Sequence, residues 1–350
     1  MAQASGIGTY IRGLLGAFSA CRPASLTLTL ITGKDDGVDG DWTRIPLSAR
    51  FYSPSEQVAV PWAFRRSGAK LLHSPHYNLP VVLASRCVVT VHDLIHLKFP
   101  QFLPSRLAWI YAQSVFRQWI PRARAILTVS ENTKKDLIET LGIPESKITV
   151  TPPGVPDGFH PLAPADYQPA LESLKLPKGY FLYVGNLKEF KNVPRLLEAY
   201  RRLRQKKMYA PPMVFVGENF IPGFDRELEN TPYVRWFPDL DRGALPAVYA
   251  GALALVFPSL YEGFGLPPLE AMACGTPVIC SNRASLPEVV GDAALQVDPL
   301  SLDDLVNAMK RLCEDTALAG VLSAKGLQRA AQFTWDTTAA KTLDVYRRCS

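Results

Sequence analysis

Short apolar runs alternate with longer stretches of helical periodicity along most of the chain. The runs at 86–93 and 180–186 are apolar at successive positions and end in polar or turn residues. Between such runs lie stretches with the spacing of amphipathic helices, for example 105–123 and 131–142. Strands that are apolar on both faces are typical of parallel sheets covered by helices. The pattern therefore predicts an α/β protein with doubly wound parallel sheets.

The predicted strands form two series, one in each half of the chain. The first series comprises 25–33, 70–75, 86–93, 125–130 and 147–154, and the second comprises 180–186, 211–219, 233–238, 251–260, 277–282 and 294–299. A proline-rich, weakly periodic stretch at 159–179 separates the two series. At 350 residues the chain is also long for one domain. We predict a first domain at 1–160, a linker at 161–178 and a second domain at 179–332.

The start of the first domain departs from the doubly wound pattern. Such a domain normally begins with an apolar strand, and a glycine-rich loop follows the carboxyl end of that strand. Only the five residues "MAQAS" precede Gly6, and they are too few and too polar for a buried strand. We therefore expect the first strand of the N-terminal domain to be missing, because the recorded start lies downstream of it. The alternative is that the domain has adapted to the loss.

Charge and cysteine usage narrow the classes of function. A net charge of +6 and a pI near 8.9 suit an anionic ligand or an anionic membrane face. Nucleic-acid binding is not expected, because no dense stripe of Lys and Arg is interleaved with aromatic residues. The six cysteines are scattered without a CxxC pair, which argues against a zinc site or a disulfide framework. With no signal sequence and no apolar run of about 18 residues, we predict a cytoplasmic protein.

Arginines and large apolar residues share the stretch 105–124. Such a mixture can rest on an anionic membrane, which would place the protein peripherally at the inner membrane face. It also fits an ordinary amphipathic helix whose apolar side packs into the core. The second interpretation is favoured, and peripheral membrane contact stays open as the alternative.

The segment "YEGFGLPPLEAMACG" (261–275) carries the clearest chemical signal. A strand ends just before it, and prolines typical of a first helical turn follow Gly265. The free N–H groups of a helix start favour an anion, most often phosphate. Glu262 and Glu270 lie on either side of this loop, where carboxylates would repel phosphate but accept hydrogen bonds from sugar hydroxyls. The alternative is a strand–turn–helix with two solvated glutamates.

This segment resembles the nucleotide-sugar site of the retaining glycosyltransferases of family 4. The likeness covers nearly the whole chain and extends to 6–15, 89–100, 126–137, 183–200, 284–294 and 333–348. It implies the GT-B fold, in which two Rossmann-like doubly wound domains face a cleft. It also implies that the C-terminal helix, 333–350, crosses back to the first domain. The chain is most similar to bacterial mannosyltransferase-like members that build polysaccharides.

The resemblance also implies roles for individual residues. Glu270 would hold the ribose hydroxyls, and Glu262 would contact the hydroxyls of the donor sugar. Lys191 would pair with the diphosphate and stabilise the leaving group. His92, after a predicted strand of the first domain, would approach the reacting sugar. The remaining donor contacts would come from the backbone N–H groups of Phe264, Gly265 and Leu266, and from a tight loop at Gly6 and Gly8.

One position of the donor site departs from the family pattern. Members often carry an arginine just after the glycine that ends the first strand of the second domain, where this chain has Asn186. We expect Lys188 to supply the missing charge. His73 and His76 also lie at the end of a predicted strand, but a structural role is favoured for both.

No metal or other cofactor is expected. The pair Asp239 and Asp241 forms a DxD pattern of the kind that binds a metal–diphosphate, but Asp241 fits better as the N-cap of the next helix. The resemblance to GT-B enzymes argues against a metal as well, and no pair of the five histidines has the spacing and context of a metal site.

The prediction is a metal-independent retaining glycosyltransferase that moves mannose from GDP-mannose to a saccharide or lipid-linked saccharide acceptor. Three alternatives stay open. The chain could bind a nucleotide sugar without turnover, or it could be an NAD-dependent dehydrogenase. Against the dehydrogenase, "SGIGTY" lacks the third glycine of GxGxxG and follows no strand. A glycoside hydrolase using Glu262 and Glu270 would need no phosphate loop.

Overall fold

The computed structural model describes residues 6–21, 26–33, 40–49, 53, 55–103, 105–205 and 210–350. Contacts divide the chain into two compact units. Unit 1 comprises 1–154 together with 334–350, and unit 2 comprises 155–333. Within the described ranges, no helix is both long enough and apolar enough to cross a membrane.

The strands are short, and all the pairings between them are parallel. In the described part of the chain they are β1 (Thr29–Thr32), β2 (Thr43–Pro46), β3 (Leu72–Ser74), β4 (Cys87–Val91), β5 (Ala125–Thr128), β6 (Ile148–Val150), β7 (Phe181–Val184), β8 (Met213–Val216), β9 (Val234–Phe237), β10 (Ala254–Phe257), β11 (Val278–Ser281) and β12 (Leu295–Val297).

Helices connect and cover these strands. They are α1 (Gly6–Cys21), α2 (Glu56–Ser67), α3 (Ile95–Lys98), α4 (Arg106–Ser114), α5 (Glu131–Leu141), α6 (Pro164–Ser173), α7 (Val193–Gln205), α8 (Phe224–Glu229), α9 (Leu245–Gly251), α10 (Leu266–Ala273), α11 (Leu286–Val290), α12 (Leu302–Glu314), α13 (Thr316–Ala330) and α14 (Trp335–Cys349). Short 3₁₀ turns lie at Val81–Arg86, Pro100–Phe102, Ile120–Arg122, Glu145–Lys147, Glu189–Lys191 and Arg242–Ala244, and a π-helical turn lies at Val115–Trp119.

Unit 1 is built around a parallel sheet with the strand order β3-β4-β5-β6, and β1 pairs with β2 in a separate small sheet. All residues of β4 are buried, as expected for a strand covered on both faces. The core beside β4 and β5 includes Phe116, Ile120 and Leu137 from the covering elements. The apolar runs therefore specify buried strands here.

The last helix of the chain packs against the first helix within unit 1. A Cβ atom added to Gly13 would lie 2.1 Å from Cε2 of Trp335, and one added to Gly154 would lie 2.3 Å from the backbone nitrogen of Trp335. The two glycines thus provide the space that the Trp335 indole and backbone occupy. At the other end of α14, the Tyr346 hydroxyl lies 2.5 Å from Nδ1 of His73.

Two segments of unit 1 differ from the sequence expectations. Gly6 and Gly8, expected in a tight loop, lie in the first turn of α1, whose buried positions begin at Gly8 and recur with helical spacing. The stretch 105–123 is not one helix with its apolar side in the core. It changes to a π-helical turn after α4, and Leu107 is 77% exposed, whereas Phe116 is fully buried. The expected absence of a first strand concerns residues 1–5, which lie outside the described residues.

Unit 2 contains a parallel sheet with the strand order β12-β11-β10-β7-β8-β9. Numbered from β7, this is the Rossmann order, which reverses direction between β7 and β10. The loops that follow β7 and β10 therefore lie side by side at the carboxyl edge of the sheet, the position where such sheets bind ligands.

The segment 161–178, assigned above to a linker, contains helix α6. This helix packs on α9 inside unit 2, where a Cβ atom added to Gly251 would lie 2.5 Å from Cδ1 of Leu171. Pro164 stands in its first turn, where a missing N–H costs no hydrogen bond.

Candidate active site

The loop after β7 begins with a close contact between two backbones. Gly185 and Gly217 have φ angles of +138° and +134°, and a Cβ atom added to Gly217 would lie 2.3 Å from the Gly185 carbonyl oxygen. The Asn186 carbonyl accepts a hydrogen bond of 3.2 Å from the Tyr183 hydroxyl. Further along, Lys188 Nζ lies 4.8 Å from the ring centroid of Phe220. Asn186 and Lys188 are thus both on the loop predicted to face the donor.

Lys191 and Glu262 form an ion pair across the switch point of the unit 2 sheet. Lys191 lies at the end of the 3₁₀ turn after β7, and its Nζ is 2.5 Å from Oε1 of Glu262, which follows β10. Their side chains are only 17% and 13% exposed. The Phe257 ring centroid lies 5.3 Å from the same ammonium. The fold therefore brings together two groups that lie 71 positions apart in the chain.

Asn192, which the sequence analysis did not single out, holds this region together. Its φ of +59° is left-handed, a conformation that Asn tolerates better than most residues. The buried side-chain amide donates hydrogen bonds to the carbonyls of Pro258 at 3.2 Å and Pro299 at 2.6 Å. One side chain thus connects the segments after β7, β10 and β12. In the sequence, the only local sign of this role is that Asn192 is a polar residue immediately before α7.

The loop before α10 is shaped by a glycine and supported by a serine. Gly265 has a φ of +120°, and a Cβ atom there would lie 2.7 Å from Cδ2 of Leu286. The buried Ser285 hydroxyl lies 2.7 Å from the Phe264 carbonyl oxygen and 2.9 Å from that of Glu262, and it can donate to either. Ser285 was missed because it lies beyond the loop in sequence.

Phe264, Gly265 and Leu266 stand where the loop becomes helix α10. The first N–H groups of an α-helix have no intrahelical acceptor, and the helix dipole makes this end partially positive. The first described backbone bond of α10 runs from Leu269 N–H to the Gly265 carbonyl. The start of α10 can therefore offer hydrogen-bond donors to an anion.

Glu270 is buried rather than solvated. The Tyr249 hydroxyl donates to Oε2 at 3.0 Å, and Arg242 Nη2 lies 3.5 Å from Oε1. Burial raises the pKa of Glu270 above its ordinary value, and the charge of Arg242 and the hydrogen bond from Tyr249 oppose the shift. Burial, reinforced by Glu270, also raises the pKa of Tyr249, so its hydroxyl keeps the proton that it donates. Both glutamates are shielded, which excludes the alternative of two solvated carboxylates.

Arg242 reaches Glu270 from the 3₁₀ turn at Arg242–Ala244. The expectation that Asp241 caps a helix there is wrong, since its side chain makes no capping hydrogen bond. Within the described part of the chain, no group of three or more His, Cys, Asp or Glu residues is placed to hold a metal ion.

In unit 1, His92 directly follows β4. Its Nε2 lies 2.9 Å from the Pro75 carbonyl oxygen, which can only accept, so Nε2 carries the proton. Burial lowers the pKa of His92, while the Pro75 carbonyl and the charge of Asp93 oppose the shift. The ring of Tyr10 packs edge-on against the imidazole, with centroids 4.9 Å apart. His92 is thus held as a neutral imidazole.

His73 and His76 lie near His92 and are also neutral. Burial lowers the pKa of each to about 3. His73 uses both ring nitrogens, one near the Tyr346 hydroxyl and the other 2.8 Å from Oγ1 of Thr90. These contacts agree with the structural role favoured from the sequence.

Comparison with known proteins decides the family. Residues 4–159 match the family model described as Glycosyltransferase Family 4, and residues 169–329 match that of Glycosyl transferases group 1. The chain is 33% identical over 316 residues to O-antigen chain mannosyltransferase B of Escherichia coli, covering 87% of this chain and 81% of the relative. This chain belongs to glycosyltransferase family 4. The resemblance seen in the sequence is confirmed, and the chain is a hexosyltransferase.

Two further comparisons support this family 4 assignment. The serotype-specific mannosyltransferase WbdA of Escherichia coli is 30% identical over 288 residues, which are 75% of this chain but only 33% of the relative. Sucrose-phosphate synthase from Thermosynechococcus elongatus superimposes with a TM-score of 0.77 at 25% identity, covering 99% of this chain and 94% of that one. The family 4 chain therefore has the predicted GT-B fold. The comparisons do not favour the binding-protein or dehydrogenase alternatives.

Proposed function

We propose that this glycosyltransferase transfers mannose from GDP-mannose to a saccharide or lipid-linked saccharide acceptor in polysaccharide biosynthesis, without a metal ion. The Lys191–Glu262 ion pair beside the start of α10 carries the proposal. It places a cation suited to a diphosphate next to a carboxylate suited to sugar hydroxyls. The names of the related mannosyltransferases support mannose as the transferred sugar.

The other residues of the candidate site in unit 2 then have roles in holding the donor. Glu270 accepts hydrogen bonds from the ribose hydroxyls while Tyr249 and Arg242 hold its carboxylate in place. The backbone N–H groups of Phe264, Gly265 and Leu266 surround the sugar and diphosphate. The loop of Asn186 and Lys188 adds a further cation on the other side of the switch point.

The reaction follows from these roles without an enzyme nucleophile. The bond between the sugar C1 and the phosphate oxygen breaks, and Lys191 stabilises the charge that develops on the diphosphate. The acceptor oxygen bonds to C1 on the face that the diphosphate leaves, and its proton passes to the departing phosphate. From the family resemblance we also propose that the neutral His92 approaches the reacting sugar, and that Gly6 and Gly8, in the first turn of α1, lie beside the diphosphate and acceptor.

We also propose that the enzyme works at the cytoplasmic face of the inner membrane through peripheral contact. Leu107, Trp109 and Ile110 are exposed on α4, with Arg106 at the start of the same helix. Apolar and basic residues together suit an anionic lipid surface, which would carry a lipid-linked acceptor.

A thermal-shift screen of GDP-, UDP-, ADP- and dTDP-sugars tests the donor. A ligand that binds only the folded protein adds about 2.7 kcal/mol of stability at 100 times its Kd. We expect GDP-mannose to raise the melting temperature most, with GDP-glucose as the control for the sugar and UDP-glucose as the control for the base. A larger shift with any UDP-sugar would contradict the proposal.

A transfer assay tests the chemistry separately. Incubation with the preferred donor and a mannose-containing oligosaccharide should yield an α-linked product, identified by the anomeric proton and carbon coupling in NMR. Donor binding without any transfer across a panel of free and lipid-linked saccharides would instead favour a role for the chain as a binding protein.

A further inference from the structure

Every strand of the β3–β6 sheet in unit 1 is preceded by a basic residue. Lys70 stands two positions before β3, and Arg86, Arg124 and Lys147 stand immediately before β4, β5 and β6. Because the strands are parallel, these residues meet at one edge of the sheet, here called the amino edge. In unit 2, neither of the two positions before any described strand holds Lys or Arg. The basic amino edge is therefore particular to unit 1.

A cavity of about 260 Å³ lies at this amino edge, between the starts of β5 and β6 and the end of α14. Three basic side chains line it, those of Arg124, Lys147 and Arg348. The rest of the lining is uncharged and comprises Ala125, Ser146, Thr149, Val345 and Cys349. A water molecule occupies about 30 Å³ in the liquid, so the cavity has room for one phosphate group with some of its waters.

The charges at the cavity are only partly compensated. Lys147 Nζ donates to the carbonyls of Pro121 at 2.9 Å and Ala123 at 3.3 Å, which orient the ammonium without neutralising it. Arg348 pairs with Asp344 at 3.1 Å on the open surface, where such pairs are weak. Among the described residues, Arg124 pairs with no carboxylate. The three basic side chains of the lining are thus accompanied by one paired carboxylate, that of Asp344, which is not part of the lining.

We propose that this cavity of unit 1 binds a phosphate group. Two guanidinium groups and an ammonium supply charged donors of the kind that phosphate oxygens accept, and Ser146 and Thr149 add hydroxyls. The phosphate comes either from an anionic lipid headgroup or from a soluble phosphate. If the phosphate belongs to a lipid headgroup, the apolar side chain of Val82 would also contact the membrane at this edge, because Val82 lies in the turn before β4 and is 75% exposed.

Cys349 provides a local measurement, because it lines the cavity and is partly exposed. The rate at which iodoacetamide alkylates Cys349 in the full-length protein is followed by peptide mass spectrometry while inorganic phosphate is titrated. We expect phosphate to slow the alkylation of Cys349 and to leave that of Cys21, an exposed cysteine of α1, unchanged. This measurement does not depend on donor binding, so it separates the present proposal from the proposed function.

The double variant Arg124→Gln/Arg348→Gln removes two charges from the lining. We expect it to raise the phosphate concentration for half-maximal protection by about tenfold or more, the scale of a lost charge-assisted contact. The matched control is Arg347→Gln, which removes a charge from the exposed residue next to Arg348 but outside the lining. It should change that concentration by less than about twofold, because an exposed charge is screened.

Vesicles distinguish the two sources of phosphate. Protection of Cys349 by vesicles of mixed phosphatidylcholine and phosphatidylglycerol, but not by inorganic phosphate, identifies a lipid headgroup. Protection by inorganic phosphate identifies a soluble phosphate. The proposal is overturned if neither probe protects Cys349, if pure phosphatidylcholine vesicles protect it equally, or if Arg347→Gln weakens binding as much as the double variant.

Discussion

Glu270→Gln keeps the shape of a buried side chain and removes its charge. If Glu270 accepts hydrogen bonds from the ribose, the variant loses charge-assisted bonds worth roughly 1–3 kcal/mol in nucleotide affinity. Each 1.4 kcal/mol is tenfold, so the Kd for GDP should rise by about 5- to 150-fold. Isothermal titration calorimetry with free GDP measures this directly, without the sugar or the acceptor.

Glu262→Gln is the matched control, because it makes the same chemical change on the other side of the same loop. Glu262 is assigned to the donor sugar, so its variant should bind free GDP nearly as well as the wild type and lose turnover instead. Equal losses of GDP affinity in the two variants, or no loss in Glu270→Gln, would refute the assignment of Glu270 to the ribose.

The same Glu270→Gln variant should gain stability relative to the wild type as the pH rises, although it binds the nucleotide less tightly. Burial raises the pKa of Glu270 above its ordinary 4.5, so the folded protein retains a proton that the unfolded chain releases. The stability linked to this group is full below pH 4.5 and is lost as the pH rises through the raised pKa of the folded state. Glutamine carries no titrating proton, so the variant does not lose this stability. The difference in melting temperature between Glu270→Gln and the wild type should therefore shift in favour of the variant as the pH rises from about 4 to about 8. A relative melting temperature that falls over this range would show that the Arg242 and Tyr249 contacts outweigh burial.

Three further changes test neighbouring parts of the site. Lys191→Ala should lower kcat by about 100-fold or more if the ammonium stabilises the departing diphosphate. A chelator should leave wild-type activity intact, and activity that is lost with the chelator and restored by manganese would show a metal requirement. Ser285→Ala should raise KM for the donor and lower the melting temperature by removing about 1 kcal/mol of hydrogen bonding to the loop, and an unchanged KM would show that the serine does not position it. Because burial lowers the pKa of His92, the wild-type profile of kcat/KM should show no histidine titration near pH 6.5; a step there that His92→Ala abolishes would contradict a neutral, buried imidazole.

The sequence predicted the parts of this protein that depend on local pattern. Apolar runs located every described strand except β2, whose short segment TRIP is largely exposed and shows no apolar run. The glycine loop after β10 located Glu262 and Glu270, because a strand end, a turn and a helix start each have a signature a few residues long. The loop that carries Lys191 was found through the family resemblance. That these groups would be shielded from solvent did not follow from any local pattern.

Contacts between distant segments could not be predicted from such patterns. Asn192 holds carbonyls that lie 66 and 107 positions away, and Ser285 reaches back 21 and 23 positions. Arg242 and Tyr249 acquire their role only because α9 and the turn before it lie beside α10. Helix α6 was assigned to a linker because its two prolines weaken the helical pattern, although Pro164 at the first turn is compatible with a helix.

The discontinuity of unit 1 has a consequence for the order in which the chain folds during synthesis. Domains usually fold as they leave the ribosome, the N-terminal one first. Here, the space left by Gly13 and Gly154 is filled by Trp335, which is synthesised 181 residues after Gly154. Unit 2 is continuous in sequence and is complete by residue 333. Unit 1 therefore cannot complete its native packing until α14 has been made, although most of its residues are synthesised before those of unit 2.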